Sequence, residues 1–309
     1  MYTNEQKDLL ITLVNYFANE ALRAEAEFNQ WCDTDALCHF DVRYMSDDEL
    51  FERYKELVTV RPPLPLPKDL LEYEKEFLYA LTQKKGIQDA DKISSAGQQL
   101  AVWKGDITAL QTQAIVNHAN ENLLGTFSSK ESSLDSQIHF YAGTQLRLAC
   151  SQLTGNTCEK ESIGSAKITP GFNLPAKYVI HTVGPEVQYK NPSEEEQQAL
   201  ASCYTSCLSI AEINDITQVS FPCISTEYKQ FPHDIACKIA VESCIDWMEL
   251  HSKSRMNVIF TVNTFEDFDF YQNTINRYNQ LKAVEIEKKL QEEKDNSWRK
   301  PLYYLPNVH

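Results

Sequence analysis

The chain has 309 residues and a formal net charge of −15, with 44 acidic residues against 29 basic ones. This length suffices for one large domain or two ordinary domains with a buried core. The negative charge repels nucleic acids and anionic membrane surfaces, so we expect neither as a partner. A small phosphate-bearing ligand stays open, because backbone N–H groups and helix N-termini bind anions even inside an acidic protein.

Nine cysteines are scattered along the chain without Cys-x-x-Cys pairs. This usage predicts reduced, mostly buried thiols and a cytoplasmic location. The N-terminus carries Glu5, Lys7 and Asp8 and no small-residue cleavage signal, so we expect no secretory peptide. No apolar run approaches the length of a membrane span.

Residues 1 to about 58 contain neither glycine nor proline, and their apolar positions recur at helical spacing. They predict helices. The prolines at 62, 63, 65 and 67 then impose an extended path, after which Lys68 and Asp69 begin another helix. We interpret this proline-rich stretch as an internal connector, and a proline-rich recognition ligand is the alternative.

From Leu100 onward, short apolar segments alternate with helical ones. Strands are predicted at "QLAVWKG", "AIVNHAN", "KYVIHTV", "QVSFPCI" and "MNVIFTVN". Helices are predicted at "SQIHFYAGTQLRLACSQL", "EEEQQALASCYTSCLSIAEI" and "HDIACKIAVESCIDWMELH". This alternation predicts an α/β domain with a mainly parallel sheet, whose ligand site lies at the carboxyl ends of its strands. From about Tyr271, a final helix passes into a charged, solvated tail.

Five motifs follow one another in this region: "GDIT" at 105–108, "AIVNHAN" at 114–120, "LDSQIH" at 134–139, "GSAKITPGFNLPAKYVIHTVGP" at 164–185 and "VSFPCIST" at 219–226. Together they resemble the macrodomain family, an ADP-ribose-binding module. The resemblance implies a three-layer α/β/α fold with a mixed, mainly parallel sheet. It divides the chain into an N-terminal helical extension (1–97), a macrodomain (98–272), and a C-terminal helix with a charged tail (273–309).

The first two motifs supply candidate ligand-binding residues. Asp106 follows a predicted strand, where a carboxylate can accept a hydrogen bond from an exocyclic amine such as that of adenine. The resemblance assigns it that role, with a backbone contact from Ile107, while an aspartate that caps a turn is the alternative. Asn117 and Asn120 end the next strand, and an amide suits a ribose diol because it both donates and accepts. The resemblance places Asn120 on the distal ribose. His118 stands where the family usually has alanine, and we expect it to be packed or solvent-facing.

Asp135 matches the acidic residue that, in hydrolytic macrodomains, is proposed to orient or activate water at the anomeric carbon. With Asn120 it forms the predicted catalytic pair, which would release ADP-ribose from an ADP-ribosylated protein. A helix N-cap is the other interpretation of Asp135, and the two roles are compatible. We expect a structural role for His139.

Two departures from the family pattern affect the site. The helical extension resembles that of the zinc-dependent, sirtuin-associated macrodomain subclass. The resemblance aligns Thr126, Glu131 (or Lys130, if the register slips) and Ser133 with that subclass's cysteine, histidine and cysteine ligands. Hydroxyl groups are poor zinc ligands, so we expect neither zinc nor another cofactor.

The second departure lies in the diphosphate loop, which reads "STEYKQFP". Glu227 and Gln230 replace two glycines that permit unusual dihedral angles and close approach to phosphate. Glu227 would also repel phosphate by about 1 kcal/mol at an effective dielectric near 20, which Lys229 offsets if it turns inward. The other predicted ligand contacts of this loop are Ser225, Thr226, Tyr228 and Phe231.

Two functions therefore stay open for the chain. The first is an ADP-ribose-recognising macrodomain with metal-independent hydrolysis through Asp135 and Asn120. The second is a non-catalytic module that binds ADP-ribose, a changed ligand or a protein partner.

Overall fold

A computed structural model describes residues 2–23, 38–93, 99–128, 132–155, 160–187, 191–227 and 229–297. Its main sheet has six strands: β2 (Leu100–Lys104), β4 (Ala114–His118), β5 (Ala166–Pro170), β6 (Tyr178–Thr182), β7 (Gln218–Phe221) and β8 (Asn257–Val262). Their order is β2-β8-β7-β4-β6-β5, and only β5 and β6 pair antiparallel. Two short strands, β1 (Gln88–Asp89) and β3 (Leu110–Gln111), form a second, parallel sheet. The mixed, mainly parallel sheet predicted from the sequence is confirmed.

Eight helices occur in the described residues. Three precede the main sheet: α1 (Asn4–Arg23), α2 (Asp47–Val60) and α3 (Lys68–Lys85). The others are α4 (Leu134–Ala142), α5 (Thr144–Leu153), α6 (Glu194–Ile213), α7 (His233–Leu250) and α8 (Phe265–Ser297). None of the helices in the described ranges is long and apolar enough to cross a membrane.

The side chains of β4 alternate between the two faces of the sheet, which creates two cores. Val116 packs with the buried face of α6 and α7, whereas Ile115 packs with that of α4 and α5. In β6, Ile180 and Val179 alternate in the same way. This period-2 pattern of buried residues places one helical layer on each face of the sheet, which is the predicted three-layer α/β/α fold.

The predicted elements differ from the observed ones in three places. One helix was predicted over 136–153, but Gly143, at φ +87°, separates α4 from α5. β5, within "AKITP", was not predicted. The final helix was predicted from about Tyr271, but α8 begins at Phe265 and continues as one helix to Ser297. The final residues of the predicted tail, 298–309, lie outside the described residues.

The N-terminal helices form their own apolar core and contact the sheet domain through α4 and α5. Phe140 of α4 packs edge-on against Phe51 and Tyr54 of α2. Glu74 of α3 is buried and accepts hydrogen bonds from Thr144 at the first residue of α5, from N (3.1 Å) and from Oγ1 (2.8 Å). A carboxylate at a helix N-terminus satisfies unpaired N–H groups and complements the helix dipole.

The break at Gly143 gives a stability prediction. A Cβ at this position would lie 2.6 Å from Asn173 Nδ2 and 2.9 Å from Glu74 Oε2, whereas Gly86, at φ +81°, has no neighbour within 4 Å. Both glycines adopt a positive φ, so Gly86→Ala measures the backbone contribution alone. In urea denaturation we expect Gly86→Ala to lower the free energy of unfolding by about 1 kcal/mol and Gly143→Ala by about 3 kcal/mol. Equal losses would contradict the packing around Gly143.

Candidate active site

A cleft of about 500 Å³ opens at the carboxyl ends of β2, β4, β7 and β8. The alternation of strands and helices predicted a ligand site at this edge of the sheet. Four residues predicted to bind a ligand line the cleft, namely Asp106, Ile107, Thr226 and Glu227.

Asp106 lies directly after β2 and Gly105, and its carboxylate is held on two sides. Its Oδ1 accepts hydrogen bonds from Thr108 N (2.9 Å) and Thr108 Oγ1 (2.6 Å), which caps the short 3₁₀ helix at 107–109. Its Oδ2 accepts a hydrogen bond from Lys85 Nζ of α3. Burial opposes ionisation of this carboxyl, but the bonds from Lys85 and Thr108 outweigh it and lower its pKa. Asp106 therefore both caps the turn and lines the cleft, so the two alternatives predicted for it are compatible.

Asp135, the second residue of α4, is fixed by Asn117 of β4. Its side chain is 7% exposed, and its Oδ1 accepts a hydrogen bond from Asn117 Nδ2 over 2.7 Å. The helix N-cap is Ser133, whose Oγ accepts a hydrogen bond from Ser136 N. The alternative of Asp135 as the N-cap is therefore wrong, because Ser133 occupies that position. Asp135 instead carries a buried carboxylate whose orientation depends on the sheet.

Asn117 faces the interior and is completely buried. Its Nδ2 lies 2.7 Å from Asp135 Oδ1 and 3.2 Å from His181 Nδ1, so one amide nitrogen donates to both atoms. Since His181 Nδ1 then accepts, Nε2 carries the hydrogen and donates to Thr169 Oγ1, 3.0 Å away. Asn117, which was predicted to bind the ligand, is thus placed beneath the site, where it orients Asp135.

Asn120 lies just beyond β4 and links two parts of the following loop. Its Nδ2 donates to the carbonyl oxygen of Gly125 (2.8 Å) and lies 3.5 Å from Asp135 Oδ2, while its Oδ1 accepts a hydrogen bond from Asn122 N (3.0 Å). The structure therefore brings the predicted catalytic pair, Asp135 and Asn120, together.

The loop after β7 keeps a left-handed backbone in the absence of glycine. Ser225 has φ +65° and Gln230 has φ +57°, and Phe231 N donates to the carbonyl oxygen of Ser225 over 2.9 Å. Ser225 and Phe231 are buried, whereas Tyr228 lies outside the described residues. Gln230 thus adopts the dihedral angle for which a glycine was expected, at the cost of local strain.

Lys229 crosses from this loop to the segment after β6. Its Nζ donates to the carbonyl oxygen of Gly184 over 2.6 Å, and burial lowers the pKa of its ammonium group. A Cβ at Gly184 would lie 2.2 Å from Ser225 Oγ, so the two loops approach too closely for any other residue. Glu227 lines the cleft, where desolvation raises the pKa of its carboxyl and nearby His233 opposes that shift. Lys229 therefore turns inward onto the carbonyl of Gly184, and no contact joins its ammonium group to Glu227 among the described side chains.

Three histidines near the site are held neutral. Burial, assisted by Lys229, lowers the pKa of His118 to about 3, and burial alone lowers that of His181 to about 3. His139 Nε2 lies 3.5 Å from Asp135 Oδ1, yet burial and the neighbouring Arg147 lower its pKa well below the usual range. His118 is packed, and its Nδ1 faces Ser225 N at 3.4 Å. None of the three is therefore charged near neutral pH.

A macro domain family model matches residues 116–240. The structure of the Oceanobacillus iheyensis macrodomain with ADP is similar at a TM-score of 0.53 and 32% identity, covering 59% of this chain and 92% of that chain. A protein-ADP-ribose hydrolase of Treponema medium is 37% identical over 229 residues, 73% of this chain and 87% of that protein. A protein-ADP-ribose hydrolase of Staphylococcus aureus is 39% identical over 232 residues, 75% of this chain and 87% of that protein. The chain belongs to the macrodomain family.

The macrodomain cleft contains polar residues that sequence reasoning missed. His233, at the start of α7, contacts Asp267 of α8, and Asp267 Oδ2 accepts a hydrogen bond from Thr264 Oγ1 over 2.6 Å. Asp267 N donates in turn to Thr264 Oγ1. The pattern Thr-x-x-Asp ahead of a helix is a capping signal that could have located Thr264 and Asp267. The position of His233 follows only from the packing of α7 against α8.

The loop that the sequence resemblance aligned with zinc ligands contains hydroxyl groups that serve other contacts in this macrodomain. Thr126 Oγ1 accepts a hydrogen bond from Ser128 N, and Ser133 caps α4. Lys130 and Glu131 lie outside the described residues. In the part of the chain that the structure describes, no three His, Cys, Asp or Glu side chains are grouped as metal ligands. The hydroxyl groups present do not fit a zinc site built from thiolates and imidazoles.

The buried histidines predict a pH dependence of stability. Because burial lowers the folded-state pKa of His181 to about 3 from its usual value of 6.5, its contribution to stability is fully present above pH 6.5 and is lost as the pH falls. Between pH 7.5 and 5.0 this loss reaches about 2 kcal/mol in the free energy of unfolding.

Urea denaturation of wild type, His181→Gln and the partly exposed control His251→Gln measures this dependence. We expect a flatter pH profile for His181→Gln alone. Burial raises the pKa of Glu74, so the contribution of Glu74 to stability decreases as the pH rises, opposite to that of His181. Both proteins contain Glu74, so the difference between their pH profiles reports the histidine. Parallel profiles for all three proteins would contradict the neutral state of His181.

Proposed function

We propose that this macrodomain recognises ADP-ribose and hydrolyses the bond that joins ADP-ribose to a protein side chain. The observation that carries the proposal is the buried Asp135 carboxylate, held by Asn117 at 2.7 Å beside Asn120. The Staphylococcus aureus and Treponema medium relatives, both named protein-ADP-ribose hydrolase, support this reaction, and the Oceanobacillus iheyensis structure holds ADP.

Binding uses the cleft at the carboxyl ends of the strands. Asp106 accepts a hydrogen bond from the adenine amine, and Ile107 provides a backbone contact. The loop from Ser225 to Phe231, including Thr226, Glu227 and Tyr228, surrounds the diphosphate, and Asn120 contacts the distal ribose. Asn117 orients Asp135 and does not touch the ligand. Six of the described cysteines, at positions 150, 203, 207, 223, 237 and 244, are free thiols, which favours a reducing, cytoplasmic location.

Hydrolysis requires water at the anomeric carbon of the distal ribose. Asp135 accepts a hydrogen bond from this water and takes its proton as the oxygen bonds to the anomeric carbon. The bond from that carbon to the protein side chain breaks, and its electron pair leaves with the side-chain carboxylate. The products are free ADP-ribose and an ionised acidic side chain, and Asp135 then releases the proton to solvent. Burial holds the pKa of the three nearby histidines well below its usual range, which makes them poor proton acceptors, so Asp135 is the group placed to accept the proton.

A non-catalytic ADP-ribose-binding or partner-binding module is the second candidate. Glu227 lines the cleft, and its negative charge opposes a diphosphate. This reading predicts weak or absent ADP-ribose binding and no turnover.

Release of ADP-ribose from a mono-ADP-ribosylated protein tests the proposal. We expect Asp135→Asn to lower turnover at least 100-fold, since positioned acid–base groups contribute about 10² to 10⁴ in rate, while the Kd for ADP-ribose changes less than threefold. Glu121→Gln, at a partly exposed carboxylate that pairs with Lys160, is the matched control and should keep wild-type turnover.

Calorimetry with ADP-ribose completes this test. Asp106→Ala should weaken binding about tenfold or more, because it removes a charged hydrogen-bond acceptor. Equal turnover by wild type and Asp135→Asn would remove Asp135 from the mechanism. An absence of saturable binding at millimolar ADP-ribose would leave only a changed ligand or a protein partner.

Metal content is a separate prediction. Elemental analysis of the purified protein should give well below one zinc per chain, because Thr126 and Ser133 offer hydroxyl groups where thiolates would be needed. Turnover should also be unchanged after prolonged treatment with a chelator. Stoichiometric zinc would show that ligands other than these two residues hold the metal.

A further inference from the structure

Arg147 of α5 is a buried cation outside the cleft, and within the described ranges its hydrogen bonds go to backbone carbonyls and not to a carboxylate. Its side chain is 7% exposed, and its guanidinium group donates to five backbone carbonyl oxygens. Burial lowers its pKa to about 10, which leaves it charged at neutral pH. The five carbonyls come from two segments that are far apart in the chain.

One segment is the C-terminal end of α2 in the helical extension. Arg147 Nη1 lies 3.3 Å from Val58 O, 2.8 Å from Thr59 O and 2.6 Å from Arg61 O. The last carbonyls of a helix lack intrahelical partners and carry partial negative charge. The guanidinium group therefore caps α2 from a helix of the sheet domain.

The other segment is the loop that precedes Asp135. Arg147 Nε donates to Leu124 O over 2.7 Å, and Nη2 donates to Thr126 O over 2.8 Å. The ring of Phe127 lies 4.4 Å from the guanidinium carbon. Two hydrogen bonds from one planar group fix the orientation of both peptide groups, which a single ammonium group would not do.

The peptide between these two anchors leads directly to the candidate catalytic pair. The carbonyl oxygen of Gly125 accepts the hydrogen bond from Asn120 Nδ2, and the same nitrogen lies 3.5 Å from Asp135 Oδ2. Fixing Leu124 and Thr126 therefore fixes Gly125 O, and through it the side chain of Asn120.

We propose that Arg147 is a positioning residue, through which the N-terminal helical extension holds the loop at 123–128 and sets the geometry of Asn120 and Asp135. The proposal rests on the proposed hydrolase function. The proposal gives the extension a role in turnover. The extension's carbonyl groups that bind Arg147 do not line the cleft, so this role is indirect. Arg147 touches neither substrate nor reacting atoms.

The test compares Arg147→Lys with a matched buried arginine. Arg61 is 2% exposed, pairs with Glu20 and donates to Leu64 O and Pro65 O, all within the extension. Arg61→Lys thus disturbs a buried guanidinium group whose described bonds stay within the extension, and it keeps the Arg61 main-chain carbonyl that Arg147 binds. The readouts are kcat and KM on a mono-ADP-ribosylated protein, the Kd for ADP-ribose, and hydrogen exchange of the amides at 123–128.

For Arg147→Lys we expect kcat to fall at least tenfold, a Kd for ADP-ribose within threefold of wild type, and at least tenfold faster exchange at 123–128. Arg61→Lys should lower thermal stability but keep kcat and loop exchange within threefold of wild type. Phe127→Ala, at a half-buried ring that packs on the Arg147 guanidinium, should move kcat and exchange in the same direction as Arg147→Lys to a smaller extent. If Arg147→Lys does not fold, Phe127→Ala replaces it as the variant that tests the proposal.

An unchanged kcat or unchanged loop exchange in Arg147→Lys would overturn the proposal. The same holds if Arg61→Lys lowers kcat equally, since general destabilisation would then explain both. If Arg147→Lys does not fold, an unchanged kcat and exchange in Phe127→Ala would overturn it. A wild-type protein without turnover would instead refute the proposed function, and loop exchange alone would then decide whether Arg147 holds the loop.

Discussion

The hydrogen bond from Asn117 to Asp135 joins the central sheet to the helix that carries the candidate catalytic carboxylate. A carboxylate that is 7% exposed needs donors, because an unpaired buried charge is strongly unfavourable. Asn117 supplies one such donor from the end of β4, and its own orientation depends on His181 of β6. The orientation of the candidate catalytic carboxylate therefore depends on how the parallel strands β4 and β6 pack beside α4.

The helical extension docks on the same region through charges at helix ends. Glu74 of α3 meets the N-terminus of α5, and Arg147 of α5 meets the C-terminus of α2. Each charge has the sign that the helix dipole favours, and each also satisfies backbone groups that a helix end leaves unpaired. The extension thus contributes one charge to the sheet domain and accepts one from it. These two contacts hold α5 against the extension independently of the loop at 123–128.

Much of the fold could be predicted from the sequence because the apolar strands are short and regularly alternate with helices. The buried segments "AIVNHAN" and "KYVIHTV" identified β4 and β6, and the order of the motifs identified the family. β5 was missed because "AKITP" runs into Pro170 and Gly171, which signal a turn. The break at Gly143 was missed because the apolar period continues across it, and the positive φ together with the close approach of Glu74 and Asn173 requires a glycine there.

The site was predicted less completely, since side-chain direction depends on tertiary packing. Asp106 and Asp135 were located by their motifs, but the direction of Asn117 into the core could not be read from its place at the end of a strand. Ser133 and Asp135 are both good capping residues, and only the helix start distinguishes them. Arg147 lies in an amphipathic helix, where an arginine would ordinarily indicate a solvated face.

The contacts of Arg147 have a consequence for how this interface can diverge. All five acceptors are main-chain carbonyl oxygens, which every amino acid provides. Side chains at the docking positions of the extension and of the loop can therefore be exchanged without removing a single bond to the guanidinium group. The arginine cannot be exchanged in this way. Related chains can thus differ widely in the sequence of both partner segments and still share the same docked arrangement, recognisable only by one basic residue in the helix between them.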